Sequence, residues 1–205
     1  MTEAMTTTAG QRGPAETQKR DAIVTAAKEH FSLYGYGKTT VSDLAKAIGF
    51  SKGYIYKFFE SKQAIGEAIC TNCLSVIIST VDAALAEAPT ATEKFRRLFR
   101  TIVEQSAMLF FSERKLYDIA AVSTLEDWGS SRAYMAKVAE MLQAIILEGR
   151  ESGEFERKTP LDETCRGILQ VMQPFMNPMM LQHNLDVLPD APNEVANLVL
   201  RSLAP

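Results

Sequence analysis

Apolar residues recur at intervals of three and four along most of the chain, which is the spacing of helices with one buried face. Ile23, Ala27, Phe31 and Tyr34 define such a face from Gln18 to Leu33, and Gly35-Tyr36-Gly37 stops it. Thr39-Thr40 offers a hydroxyl cap for a short helix, Val41 to Ile48, in which Leu44 and Ile48 are four apart. Gly49 ends that helix and Ser51 caps the next, Lys52 to Phe59. After Glu60-Ser61 the helical pattern runs to about Glu87 and breaks at Ala88-Pro89-Thr90. Further on, Phe95, Leu98, Phe99, Ile102 and Met108 mark a helix from Thr92 to Phe111. Leu116 to Leu125 and Ser131 to Glu148 follow, joined around Asp127-Trp128-Gly129. Gly149 to Pro160 is polar and turn-rich, Asp162 to Asn184 predicts a helix kinked by Pro174 and Pro178, and Asn193 to Leu203 predicts a last short one. No segment predicts a strand. The expectation is an all-α protein of about nine helices.

Composition changes this picture in one respect. The 205 residues carry a formal net charge of −3, which by itself argues against a nucleic-acid partner. The charge is unevenly placed, however. Residues 17–62 hold eight cations (Lys19, Arg20, Lys28, Lys38, Lys46, Lys52, Lys57, Lys62) against four anions (Asp21, Glu29, Asp43, Glu60), a net +4, and the remainder is −7. A basic module on an acidic body is expected when only one end meets phosphate. Hydrophobic content of 46% and mean hydropathy of −0.06 suit a chain that folds in water. No uninterrupted apolar run reaches about 18 residues, so no segment is expected to span a membrane. Residues 1–16 lack an apolar stretch of the secretory kind and are expected to form a flexible arm, and the protein is expected in the cytoplasm.

The most informative segment is 40–59, Thr40-Val-Ser-Asp-Leu-Ala-Lys-Ala-Ile-Gly-Phe-Ser-Lys-Gly-Tyr-Ile-Tyr-Lys-Phe-Phe59. Two short helices on either side of a glycine turn have the build of a DNA-reading helix-turn-helix. Gly49 is expected at positive φ, and Ser51 caps a helix N-terminus that also attracts phosphate. Leu44, Ala45, Ile48, Phe50, Ile55 and Phe59 are expected to pack the pair together, leaving Lys52, Tyr54, Lys57 and Phe58 outward.

These residues resemble the TetR family of bacterial regulators. The family's N-terminal pattern stands here as Ile23, Ala27, Phe31, Gly35-Tyr36, Thr40, Leu44-Ala45, Ile48-Gly49-Phe50-Ser51, Gly53, Ile55-Tyr56, Phe58-Phe59 and Ser61-Lys62. The match covers residues 17–77; the rest of the chain agrees only in length and helical character. The resemblance implies a three-helix DNA-binding domain over 17–77 and a ligand-binding and dimerisation domain over 78–205. It implies that Thr40 and Ser51 hold phosphates, that Gly53 permits close approach to the groove, and that Tyr54 and Lys52 face base edges. Tyr56 and Lys62 would anchor further phosphates, with Ser42 and Lys57 completing the set. The chain departs from the pattern at Phe58, where the family has His, and at Phe50, where it has Val.

Catalysis has no footing in the sequence: no Ser/His/Asp grouping, phosphate-cradling glycine loop or metal motif occurs, so no enzyme activity, metal or cofactor is expected. Cys70-Thr-Asn-Cys73 has the spacing of a zinc or redox pair but lies within a helical segment without further ligands, so packed thiols are expected. His30 is expected to pack half-buried. The C-terminal half is rich in Met and aromatic residues, which serve a core, a dimer interface or an adaptable apolar cavity. Met108, Phe111, Tyr117, Trp128, Met135, Met172 and Met176 are the cavity candidates. Val171, Phe175, Val195, Leu198 and Val199 are the interface candidates. The function expected is that of a homodimeric repressor, bound to pseudo-palindromic operator DNA and released by a small apolar effector. A redox-responsive regulator using Cys70 and Cys73 and a helical carrier of lipophilic molecules remain as alternatives.

Overall fold

The computed structural model describes residues 14–205. Among them are ten α-helices, one short 3-10 turn and no strand. The first four helices are α1 (Pro14–Tyr34), α2 (Val41–Ile48), α3 (Lys52–Tyr56) and α4 (Lys62–Ala86). The body adds α5 (Ala91–Ser112), α6 (Arg114–Leu125), α7 (Gly129–Ser152), α8 (Leu161–Met176), α9 (Pro178–Leu181) and α10 (Asp190–Ser202). The expected flexible arm falls mostly on residues 1–13, outside the described residues; Pro14 to Glu16 are already helical.

Two apolar clusters organise the chain. One gathers Ile23, Ala27, Phe31, Leu44, Ile55 and Ile65 from α1–α4, together with Leu116, Ile119 and Trp128 from the body. The other is built from α4, α5, α7, α8 and α10 around Phe95, Phe99, Leu142, Ile146 and Met172. Leu74 packs against both, at the middle of an α4 that runs unbroken from one to the other.

Several expected boundaries moved, each for a local reason. α7 continues through Gly149 because that glycine lies buried under the Phe155 ring, and the helix stops instead at Gly153, in the left-handed region with φ +81°. The expected kinked helix over 162–184 is two helices. Asn177, which precedes Pro178, is pushed into an extended conformation, and its side chain accepts a hydrogen bond from the Met179 N–H at 2.8 Å, capping α9. α3 is shorter than expected and closes in a turn at Lys57-Phe58. By length and composition α4 could cross a membrane, although its apolar residues are not an uninterrupted run. Its interruptions are small hydroxyls such as Thr71 and Thr80, each donating to the carbonyl one turn back, and the helix packs between α1, α5, α6 and α7.

Candidate functional site

α2 and α3 form a helix pair at one end of the molecule. Thr40 caps α2 reciprocally: its hydroxyl accepts from the Asp43 N–H at 3.2 Å, and the Asp43 carboxylate accepts from the Thr40 N–H at 2.9 Å and hydroxyl at 2.7 Å. These bonds hold the Asp43 carboxyl below its ordinary range, so it stays ionised at neutral pH. Gly49 adopts φ +75° after α2, a conformation that costs a side-chain-bearing residue more. The Ser51 hydroxyl accepts from the Tyr54 N–H at 3.1 Å and sets the start of α3. Ser51's own proton remains free among the described residues, unlike that of Thr40, which Asp43 takes.

The outer face of α3 is open. Ser51, Lys52, Gly53, Tyr56 and Lys57 are exposed, Tyr54 is half-buried, and Thr40 and Ser42 lie at the adjoining first turn of α2. The Lys52 amine sits 5.7 Å from the Tyr56 ring centroid and the Lys57 amine 5.9 Å from that of Tyr54. A Cβ on Gly53 would meet nothing within 4 Å, so the fold itself does not require glycine there. Phe50 corrects an expectation. It is 40% exposed rather than core, because the turn after Gly49 lifts it onto the surface, where it stacks on Tyr54 at 4.6 Å. Tyr54 stacks in turn on Phe58 at 5.3 Å, giving an aromatic ridge along the pair.

Lys62 is placed differently from the other candidates. Its amine donates to the Tyr36 carbonyl at 3.0 Å and lies 4.2 Å from the Tyr36 ring centroid, clipping the start of α4 to the α1–α2 turn. His30 is half-buried as expected, its Nδ1 3.4 Å from the Thr39 hydroxyl and its ring against Tyr34.

The body holds an open-mouthed cavity of about 340 Å³ between α4, α5, α6, α7 and α8. Tyr117, Met135 and Met176 line it; the other four cavity candidates do not. Met108 and Phe111 are exposed on the outer side of α5, Phe111 by 71%, whereas Leu109 between them turns to the cavity. Met172 is fully buried in the body core. Trp128 belongs to the N-terminal cluster, edge-on to Tyr36 at 5.6 Å. Leu74, Ile77, Ala120, Tyr134 and Gln173 are among the further lining residues that the sequence did not single out. Tyr134 is legible as the neighbour of Met135, but Ala120 and Ser123 shape the void by being small, and small residues carry no signal of a cavity in the sequence.

α6 has two working faces. Leu116 and Ile119 are buried in the N-terminal cluster, whereas Tyr117, Ala120, Ser123 and Thr124 line the cavity. The buried Tyr117 hydroxyl, its pKa pushed up to about 12 by burial, donates to the Pro178 carbonyl at 2.7 Å and ties α6 to α9.

The interface candidates also divide. Val171 on α8 and Leu198 on α10 are exposed, by 49% and 60%, and Val195 is half-buried. Phe175 and Val199 turn inward to the body core, 6% and 9% exposed, and so offer little outer surface.

A helix pair of this build, capped and open, on an all-helical body that holds a cavity, defines a helix-turn-helix protein. The pattern described as bacterial regulatory proteins, tetR family, matches residues 23–69. The pattern described as tetracyclin repressor-like, C-terminal domain, matches residues 91–195. The chain belongs to the TetR family. It is similar to the HTH-type transcriptional regulator RutR of Escherichia coli strain K12, 32% identical over 83 residues, which are 40% of this chain and 39% of RutR. The match thus spans about two fifths of that relative. The HTH-type transcriptional regulator YhgD of Bacillus subtilis is 30% identical over 142 residues, 69% of this chain and 74% of YhgD. Among solved structures, the regulator FadR of Bacillus subtilis in complex with stearoyl-CoA superposes with a TM-score of 0.62 at 20% identity, covering 90% of this chain and 97% of that one. At that identity the likeness is one of fold.

Proposed function

We propose that the chain is a homodimeric, cytoplasmic repressor that binds pseudo-palindromic operator DNA through α2–α3 and releases it when a small, largely apolar effector enters the cavity. The observation that carries this reading is the double role of α6, which contributes to the core under the helix pair and to the cavity wall. An effector that prefers a shifted α6 would move the helix pair with it, and only such a difference in affinity between the two forms can drive release. Ser51, Lys52, Gly53, Tyr54, Tyr56 and Lys57 are the proposed DNA-contacting residues on α3 and its flanks, with Thr40 and Ser42 at the start of α2.

One recognition helix reads few base pairs, so useful specificity calls for two, with half-sites one or more helical turns apart, roughly 34–36 Å per turn. The proposed seam is the outer stripe of α8 and α10. Val171 and Leu198 supply apolar surface there, and Gly167 has no Cβ to keep a partner helix away. Leu198→Glu would bury an unpaired carboxylate at such a seam, so analytical ultracentrifugation should find a folded monomer with weakened DNA binding. A Leu198→Glu protein that stays dimeric places the seam elsewhere.

The redox reading finds no support in the thiols. Burial pushes the Cys70 pKa up to about 12 and raises those of Cys73 and Cys165, leaving all three as weakly nucleophilic neutral thiols.

A further inference from the structure

The polar groups of the cavity wall fall into two sets. Those in the first are used by the fold: Tyr117 donates to the Pro178 carbonyl, Thr124 donates to the Ala120 carbonyl at 3.0 Å, and the Ser123 and Ser131 hydroxyls bond to each other at 2.6 Å. The second set, the Tyr134 hydroxyl on α7, the Gln173 amide on α8 and the Ser106 hydroxyl on α5, has no hydrogen-bond partner among the described residues. Burial alone raises the Tyr134 pKa, so its hydroxyl keeps its proton. A polar group without a protein partner is costly unless water or a ligand satisfies it, and the half-buried Tyr134 side chain lines the cavity.

The charges in the wall cancel. Arg132 and Asp127, both exposed at the opening, pair at 2.9 Å, and the Arg132 guanidinium also donates to the Asp127 carbonyl. Among the described residues, no further charged side chain lines the cavity. An ion taken inside would leave water without a counter-charge. The volume equals that of roughly eleven waters at ~30 Å³ each, room for on the order of ten to fifteen non-hydrogen atoms.

We propose that the cavity takes a small uncharged amphiphile, its hydroxyl or carbonyl head bound by Tyr134 and its apolar body lying against Leu74, Ile77, Leu109, Met135 and Met176. This rests on the effector reading above and narrows it to a chemical class. Ser106 and Gln173 are the further free groups to which such a head can turn.

The test uses the full chain and three probes with the same tail: decan-1-ol, decanoate and decyltrimethylammonium. Binding is read from the fluorescence of Trp128, the chain's single tryptophan, which follows the cavity-lining Asp127, and from the thermal midpoint. Decan-1-ol should bind at least about tenfold more tightly than either ion. Tyr134→Phe should weaken decan-1-ol about five- to tenfold while leaving the unliganded midpoint unchanged, since the hydroxyl has no partner in the fold. Ala120→Phe, which fills the void, should abolish binding. An ion that binds as well as the alcohol, an alcohol affinity untouched by Tyr134→Phe, or no alcohol binding at all would overturn the proposal. DNA binding measured in parallel separates the two ideas. DNA binding without alcohol binding discards the ligand class alone. Alcohol binding that leaves DNA affinity unchanged keeps the ligand class and discards release.

Discussion

Gly66 sits where the two halves of the molecule touch. It lies in α4 with the Trp128 ring, from the α6–α7 turn, on one side and the Tyr36 ring, from the α1–α2 turn, on the other. A Cβ at this position would meet Trp128 Cη2 and Cζ3 and Tyr36 Cε2, each at 3.0 Å. Those rings have little freedom to withdraw. Trp128 is fully buried and donates from Nε1 to Glu126 Oε2 at 2.8 Å, and Tyr36 is wedged between Trp128 and Phe31, the latter 5.3 Å away centroid to centroid. Overpacking of this kind costs about 1–3 kcal/mol. Against it stands the helix-propensity gain of Gly→Ala, about 1 kcal/mol. Gly66→Ala should therefore lose about 1 kcal/mol net. Urea unfolding followed by Trp128 emission reads both the stability and the ring's surroundings, and the native emission should shift as the ring is displaced. A protein stabilised by the full propensity gain, with unchanged emission, would refute the tight packing assigned to this junction.

Three further outcomes follow from the geometry. Gly53→Ala should raise stability by up to about 1 kcal/mol, because nothing in the chain opposes a Cβ there, yet weaken DNA binding; loss of stability, or unchanged affinity in an anisotropy titration, would contradict the role given to this glycine. Lys52→Ala should shallow the salt dependence of DNA binding by about one unit, whereas Lys62→Met should leave the slope alone and cost about 1 kcal/mol of stability through the lost Tyr36 contacts. A one-unit change in slope for Lys62→Met would return that lysine to the phosphate contacts. Because its raised pKa keeps Cys70 protonated well above pH 8, the thiol should resist alkylation in the native chain at that pH and react only after urea unfolding; rapid native labelling with loss of DNA binding would revive a redox switch.

The helix-turn-helix was legible because its signals are local. Capping by Thr40 and Ser51, the turn at Gly49 and the inward spacing of Leu44, Ala45 and Ile55 all act within one or two turns of chain, and all stand in the structure. Phe50 misled because an apolar side chain next to a turn can stack on a neighbouring aromatic ring as well as enter a core. The cavity was harder to read, since a void is defined by what five helices leave unfilled. Met135 and Met176 line it, but Met172 on the same helix as Met176 faces the core, and only the rotation of α8 against α7 and α10 decides which. Trp128 looked like a pocket residue by size, and the α6–α7 turn carries it instead to Tyr36. At the seam, helical spacing alone did not separate Val171 and Leu198, on the outer stripe, from Phe175 and Val199, which turn inward.

The proposed release of DNA by an effector is tested most directly by one titration. Labelled DNA from upstream of the chain's own gene is bound by the full protein at moderate salt, and its anisotropy is followed with and without a saturating cavity ligand. Occupancy is confirmed independently by Trp128 fluorescence. The result expected is an operator affinity that falls by roughly 5- to 150-fold when the cavity is filled, the range of a coupling of about 1–3 kcal/mol. The same affinity with the cavity demonstrably occupied would contradict it.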